Sequence, residues 1–202
     1  MIEIRVTWRP GMTLQKIAIA GLMLALMPGF GMADEPPADL SKARAAIAGL
    51  GESLKSELMS AMASGGPVAA IEVCQTAAPA LSKAAGDKGG LTVRRTALKV
   101  RNPGNAPDDF ERRVLEDFAV RIMAGTPPGT LEHSEIVTTN GVRTLRYMKP
   151  IMMVDQPCSV CHGGALADDV KAKVSALYPD DQATGFKPGE LRGAFSVLQR
   201  LD

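Results

Sequence analysis

The last quarter of the chain contains the segment Cys158-Ser159-Val160-Cys161-His162. Two cysteines separated by two residues allow both thiols to add to the two vinyl groups of one haem. A histidine that follows at once can turn its imidazole onto the iron. The spacing therefore predicts covalent attachment of one haem c through Cys158 and Cys161, with His162 as the proximal iron ligand.

Paired cysteines also occur in structural disulfides, in halves of zinc sites and in thioredoxin-like redox pairs. A four-ligand zinc site lacks partners, because only Cys74 and His133 remain elsewhere in the chain. A thioredoxin pair is expected early in a chain, at the start of a helix that follows a strand. The late position therefore favours haem attachment over these alternatives.

Residues 1–33 have the pattern of a secretory signal peptide. Three basic residues come before an uncharged apolar run over 17–27, and Gly31-Met32-Ala33 follows at the expected cleavage site. We expect cleavage before Asp34 and a periplasmic protein that meets the membrane only through its export signal. An uncleaved anchor is the alternative. Export also fits the motif, since haem is added to reduced thiols outside the cytoplasm.

The charge of the remaining chain is close to balanced. Three of the 23 basic residues and one of the 22 acidic residues lie in 1–33, so 34–202 carries 20 basic and 21 acidic residues. This balance argues against a nucleic-acid-binding protein. About 170 residues suffice for one domain with one core, and we expect 34–202 to be a single haem-binding domain.

Hydrophobic periodicity predicts helices first and then an antiparallel sheet interrupted by helices, which is the α+β class. The clearest hairpin signal is Asn140-Gly141, which suits a two-residue turn. Gly65-Gly66 should end the first helix, and Pro79 should kink or loosen the second, because one backbone donor is missing. The predicted helices are 39–62, 67–86, 108–122 and 170–177, and the predicted strands are 91–100, 135–139, 142–148, 150–154 (at an edge) and 191–198.

This outline excludes two familiar classes of cytochrome. A small cytochrome with a downstream distal methionine is excluded because no methionine follows His162. A four-helix-bundle cytochrome should contain neither an Asn-Gly hairpin nor a long C-terminal segment rich in glycine and proline.

The sixth iron position has several candidate ligands. Cys74 is a third thiol in an exported chain and lies on the apolar face of a predicted helix, where a ligand or an inert buried thiol would also lie. His133 lies in a polar stretch, and methionines are more often core residues than ligands. The candidates are Cys74, His133, Met148, Met152, Met153 and water.

Several segments together resemble a family of small exported c-type haem proteins with a PAS-like fold, long catalogued as a domain of unknown function. The matching segments span nearly all of 34–202 and occur in the family's order. They are Ala70–Cys74 with Ala78-Pro79, Arg94–Thr96, Arg101–Asp108, Pro150-Ile151, Cys158–Gly163, Tyr178–Phe186 and Gly189–Ala194. The chain departs from the family at Ala97 and Phe186, where serine and tyrosine are common.

The resemblance implies a PAS-like antiparallel sheet with flanking helices, preceded by N-terminal helices. It also implies an axial pair of histidine and cysteine, which are His162 and Cys74 in this chain.

Four arginines are candidates for contacts with the haem propionates, because guanidinium groups pair with carboxylates and stay charged when buried. The alternative is that they are ordinary surface charges. They are Arg94, Arg95, Arg101 and Arg192.

A thiolate ligand donates charge to iron and favours the ferric state. The sequence therefore predicts a low-potential electron carrier that works with a redox partner protein. The alternative is a redox or gas sensor in which Cys74 dissociates on reduction and a separate signalling partner responds. We do not expect an enzyme, since a peroxidase would need a catalytic acid or base beside the iron and the single spare histidine is poor support.

Overall fold

The computed structural model of the protein describes residues 39–201, and the predicted signal peptide lies outside them. The described elements are helices and the four strands of one antiparallel sheet, which confirms the α+β class. The helices are α1 (Ser41–Asp87), α2 (Asp109–Met123), α3 (Cys158–His162) and α4 (Asp168–Leu177), and the strands are β1 (Thr92–Thr96), β2 (His133–Thr139), β3 (Val142–Met152) and β4 (Leu191–Arg200). Within 39–201, no helix combines the length and the apolar character needed to span a membrane.

Helix α1 is 47 residues long but is interrupted at Gly66, whose φ of 68° and ψ of −167° are not helical. A positive φ is readily adopted only by glycine, so the predicted break at Gly65-Gly66 is confirmed. Pro79, where the sequence predicts a kinked or loosened helix, keeps helical backbone angles, because Gly66 is the one residue of α1 with non-helical angles. Proline removes one hydrogen-bond donor, but its fixed φ remains compatible with a helix.

The four strands form one antiparallel sheet in the order β1-β4-β3-β2. Strands β2 and β3 are joined by Asn140 (φ 51°) and Gly141 (φ 79°), with Thr139 paired to Val142. Two consecutive positive φ values are typical of the primed turn that Asn-Gly predicts. The hairpin is therefore confirmed.

The predicted edge strand 150–154 is instead the end of β3, which lies between β2 and β4. Strand β2 begins where His133 pairs with Met148, so the later part of β3 pairs with β4 alone. Pro150 pairs with Ala194 in this one-sided stretch, where proline's missing N–H costs no bond to a second strand. β1 is also shorter than predicted and ends at Thr96.

The two faces of the sheet are covered by different helices. Tyr147 and Met148, adjacent in β3, contribute to different cores, as expected for side chains that alternate along a strand. The core against α1 contains Ala43, Ile47, Leu50, Leu91, Val93, Tyr147 and Val197. The core against α2 contains Phe110, Val114, Leu115, Phe118, Leu131, Met148 and Ala194. The hydrophobic periodicity that predicts a helix over 108–122 is thus confirmed, since Phe110, Val114, Leu115 and Phe118 share this core.

The carboxylate of Glu132 connects α1 to the sheet. It accepts hydrogen bonds from the Arg44 guanidinium and, at 2.8 Å, from the Tyr147 hydroxyl. The Arg44 hydrogen bond lowers the pKa of Glu132. Burial and the neighbouring carboxylate raise the pKa of Tyr147 to about 12.

Replacing Glu132 with glutamine should lower the free energy of unfolding at neutral pH. A carboxylate whose folded pKa is depressed stabilises the fold above its unfolded pKa of about 4.3, and that contribution is lost as pH falls through the folded pKa. Urea unfolding of both proteins should therefore show a difference that shrinks as the pH falls below the unfolded pKa of about 4.3. Glu116→Gln on the exposed face of α2 is the matched control. A difference that does not depend on pH would contradict the assignment.

Candidate functional site

One open cavity collects the residues that sequence analysis singled out for haem chemistry. Its volume is about 1230 Å³ when the space at its opening to solvent is included. It is lined by parts of α1, α3, β4 and the ends of β1 and β3. The lining residues are Leu58, Met62, Ala70, Ile71, Cys74, Arg95, Thr96, Ala97, Val100, Arg101, Asn102, Asn105, Ile151, Met152, Pro157, Cys158, Cys161, His162, Tyr178, Arg192 and Gly193.

The Cys158–His162 segment forms the short helix α3. Residues three apart on a helix lie on one face, so Cys158 and Cys161 are neighbours and both line the cavity. All three cysteines of the protein are free thiols rather than disulfides. Burial raises the pKa of the Cys161 thiol. No cluster of three or more His, Cys, Asp or Glu residues suited to a metal ion occurs in 39–201.

The His162 ring is oriented by the backbone. Its Nδ1 lies 2.7 Å from the carbonyl oxygen of Ala183. A carbonyl only accepts hydrogen bonds, so Nδ1 must carry the proton and Nε2 keeps its lone pair. Burial, with the nearby positive charges of Arg192 and Arg101, lowers the pKa of His162 to about 3. The imidazole is therefore neutral at physiological pH, as an iron ligand must be.

Cys74 reaches the same cavity from the part of α1 that follows Gly66. Cys74 is exposed to solvent and lines the cavity, and partial burial by the surrounding protein raises the pKa of its thiol. Ile71, one turn earlier, anchors this segment against Val170 and Val174 of α4. The structure thus brings Cys74 into the cavity that contains His162.

The other candidates for the sixth iron ligand differ in whether they line the cavity. His133 lies outside the cavity, where its ring packs 5.5 Å from the ring of Phe110. Met148 is fully buried in the core against α2. Met153 packs with Ala183 in another small core. Of the methionines considered from sequence, Met152 lines the cavity.

The four candidate arginines do not share one role. Arg95 and Arg192 line the cavity, and neither forms an ion pair with a carboxylate among the described residues. Burial lowers the pKa of both guanidinium groups. For Arg192, repulsion by Arg101 and Arg95 contributes as well, and its pKa falls to about 10. A dianionic ligand would relieve this excess of positive charge.

Arg94 is a predicted candidate for contact with a haem propionate, but it does not line the cavity. Its guanidinium donates to the carbonyls of Gly104 (3.1 Å) and Ala106 (2.7 Å) and lies 3.8 Å from buried Glu111 on the α2 face. Adjacent residues of a strand point to opposite faces, so Arg94 and Arg95 of β1 could not both face the cavity.

Arg101 lines the cavity, but its guanidinium group is already paired with the carboxylate of Asp181. Nε and Nη2 each lie 3.0 Å from one of the two carboxylate oxygens. Burial is the largest influence on the pKa of Asp181 and would raise it, but the hydrogen bonds from Arg101 and from the Ala183 amide, together with the charge of Arg101, outweigh burial and lower the pKa. The propionate role predicted for Arg101 is therefore not the one that its contacts indicate.

Sequence reasoning did not single out Asp181, Ala183 or Tyr178 for individual roles. Each lies in the segment 178–186, which was recognised only as part of a resemblance. Nothing in the local sequence indicates that Asp181 would meet Arg101, 80 residues away. The apolar wall residues Leu58 and Met62 were visible as part of the helical stripe but not as cavity residues.

Two consecutive glycines after the motif provide a matched test of close packing. A Cβ on Gly163 would lie 2.5 Å from the carbonyl oxygen of Ser159, whereas one on Gly164 would meet nothing within 4 Å. Gly163→Ala should therefore force the end of α3 to shift, at a cost of about 1–3 kcal/mol. Gly164→Ala should change stability by less than about 0.5 kcal/mol. Urea unfolding measures both, and equal effects would contradict the packing described.

Comparisons with known proteins agree with this fold. A search of curated proteins finds no match. Among solved structures, the crystal structure of the cyanobacterial heme-protein Tll0287 matches with a TM-score of 0.62 and 24% sequence identity, covering 83% of this chain and 98% of that one. The model of the Tll0287-like family matches residues 4–199. Because that match spans nearly the whole sequence, the chain belongs to the Tll0287-like family.

Proposed function

We propose that the chain is a periplasmic monohaem cytochrome that transfers electrons through one covalently attached haem c. The observation that carries this proposal is the single cavity that gathers Cys158, Cys161, His162 and Cys74. The matching structure of a cyanobacterial heme-protein supports haem as the cofactor. Periplasmic location is supported by the signal-like pattern of residues 1–33.

The side chains that line the cavity have the chemistry needed to hold a covalently attached haem. Cys158 and Cys161 are free thiols on one helix and would form the two thioethers. His162 would bind iron through Nε2, since Nδ1 is occupied by the Ala183 carbonyl. Cys74 would supply the second axial ligand from α1. Haem bound in this way supplies one-electron chemistry at a low potential, because a thiolate ligand stabilises the ferric state.

Two arginines of the cavity fit the propionate groups of haem. Arg95 and Arg192 line the cavity without a carboxylate partner among residues 39–201. Guanidinium groups pair with carboxylates in a forked geometry. We assign these two arginines to the propionates, and not Arg94 or Arg101, whose guanidinium groups are already engaged elsewhere.

Cys74→Ala should change the absorption spectrum of the ferric protein and raise its reduction potential, because the charge donated by the thiolate is lost. Met152→Leu, which removes the other side chain considered as a ligand, should change neither. The purified full chain should also gain the mass of one haem, and Cys158→Ala together with Cys161→Ala should abolish that covalent gain. A ferric spectrum that responds to Met152→Leu and not to Cys74→Ala would overturn the axial assignment.

A separate observation favours a redox or gas sensor as the second candidate. Cys74 lies on the part of α1 beyond Gly66, where the helix is interrupted. A segment connected through such a break can shift without moving the half of α1 that packs on the sheet. Departure of Cys74 from the iron could therefore be transmitted to a separate signalling partner.

The behaviour of the reduced protein distinguishes the two candidates. For an electron carrier, we expect the ferrous spectrum to remain six-coordinate and to stay unchanged when CO or NO is added. A sensor that works by ligand exchange would instead bind these gases on reduction. Absorption spectra of the dithionite-reduced protein, with and without CO, make the comparison. Cys74→Ala is the positive control, since it leaves the position open.

A further inference from the structure

Arg101 and Asp181 form a buried bidentate pair that also holds the backbone around His162. Their side chains are 11% and 8% exposed. Removing both charges from water is costly unless further hydrogen bonds satisfy them. Here those bonds exist: Arg101 Nη2 donates to the carbonyl of Cys161 at 2.7 Å, and Ala183 N donates to Asp181 Oδ1 at 2.9 Å.

The carbonyl that orients His162 is part of this network. Ala183 O accepts from His162 Nδ1 at 2.7 Å and from Arg101 Nη2 at 3.3 Å. Arg101 thus contacts the residue just before His162 and also the acceptor of its ring. Asp181 fixes the amide of the residue that supplies this acceptor.

Other contacts hold the same loop without Arg101. Gly185 N donates to Gly163 O and Phe186 N donates to His162 O, each at 3.0 Å. Gln182 N donates to Val100 O at 2.9 Å. These backbone bonds can keep the segment docked when the ion pair is removed. The specific contribution of Arg101 and Asp181 is therefore to fix the direction in which the Ala183 carbonyl points.

We infer that Arg101 and Asp181 are positioning residues that fix the orientation and donor strength of the His162 imidazole through the Ala183 carbonyl. This inference rests on the proposed function, in which His162 binds the haem iron. A hydrogen bond from the distal ring nitrogen to a carbonyl raises the basicity of a ligating imidazole. Weakening that bond makes the imidazole a poorer donor to ferric iron and raises the reduction potential.

The test compares the reduction potentials of holoprotein carrying Arg101→Gln, Asp181→Asn or both changes. If the pair positions His162, all three variants raise the potential and alter the ferric electron paramagnetic resonance spectrum. If the residues act only as charges, Arg101→Gln lowers the potential, because a cation is lost. Asp181→Asn then raises it, and the double variant stays close to the parent. That pattern, or no change at all, overturns the inference.

Arg101→Lys covers the case in which the glutamine variant loads haem poorly. Lysine keeps the charge but cannot span both oxygens of Asp181 and the Ala183 carbonyl together, so the potential should still rise. Lys99→Gln is the matched control: it removes an exposed cation near Phe186 without touching His162 or Asp181. It should leave the resonance spectrum unchanged. A parent protein without covalent haem refutes the proposed function instead, so the two failures are distinguishable.

Discussion

A buried guanidinium group must find a partner, and this constraint organises the cavity. Arg101 meets it within the chain, by pairing with Asp181. Arg95 and Arg192 have no carboxylate partner within the described residues, although Arg192 donates to the carbonyl of Lys99 at 3.3 Å, and burial lowers the pKa of each. The protein therefore maintains one balanced ion pair and two uncompensated cations at the same site. Asp181 compensates the charge of Arg101, whereas the two uncompensated cations would favour a ligand that is itself anionic.

The charged side chains of the fold form two separate groups, one on the α2 face of the sheet and one in the cavity. On the α2 face, Arg94 and Arg146 both lie 3.8 Å from Glu111, which is fully buried. Asp108 completes this group through its ion pair with Arg146, and it also caps α2. The charges on the α2 face are thus paired with one another inside the fold. The cavity at the ends of β1 and β3 retains the free donors and thiols, so the site for a ligand is separated from the site that holds the sheet together.

Features governed by nearby residues could be predicted from the sequence. The apolar stripe of α2, the turn at Asn140-Gly141 and the break at Gly66 depend on periodicity or on the backbone freedom of glycine. Features governed by distant residues could not. The pairing of Arg101 with Asp181 joins two segments 80 residues apart, and no local pattern encodes it. The opposite directions of Arg94 and Arg95 follow from strand alternation, but only once β1 is known to extend through both.

The interruption at Gly66 also changes the direction in which the side chains of the second part of α1 point. At about 100° of rotation per residue, an unbroken helix would place Cys74 about half a turn away from Ile47. Ile47 packs on the sheet, so an unbroken helix would turn the thiol away from that face. With the break, the rotation of the second segment about its own axis is set by its packing against α4. One glycine thus lets a single continuous stretch of sequence present two apolar faces in unrelated directions, the first to the sheet and the second, with its thiol, to the cavity.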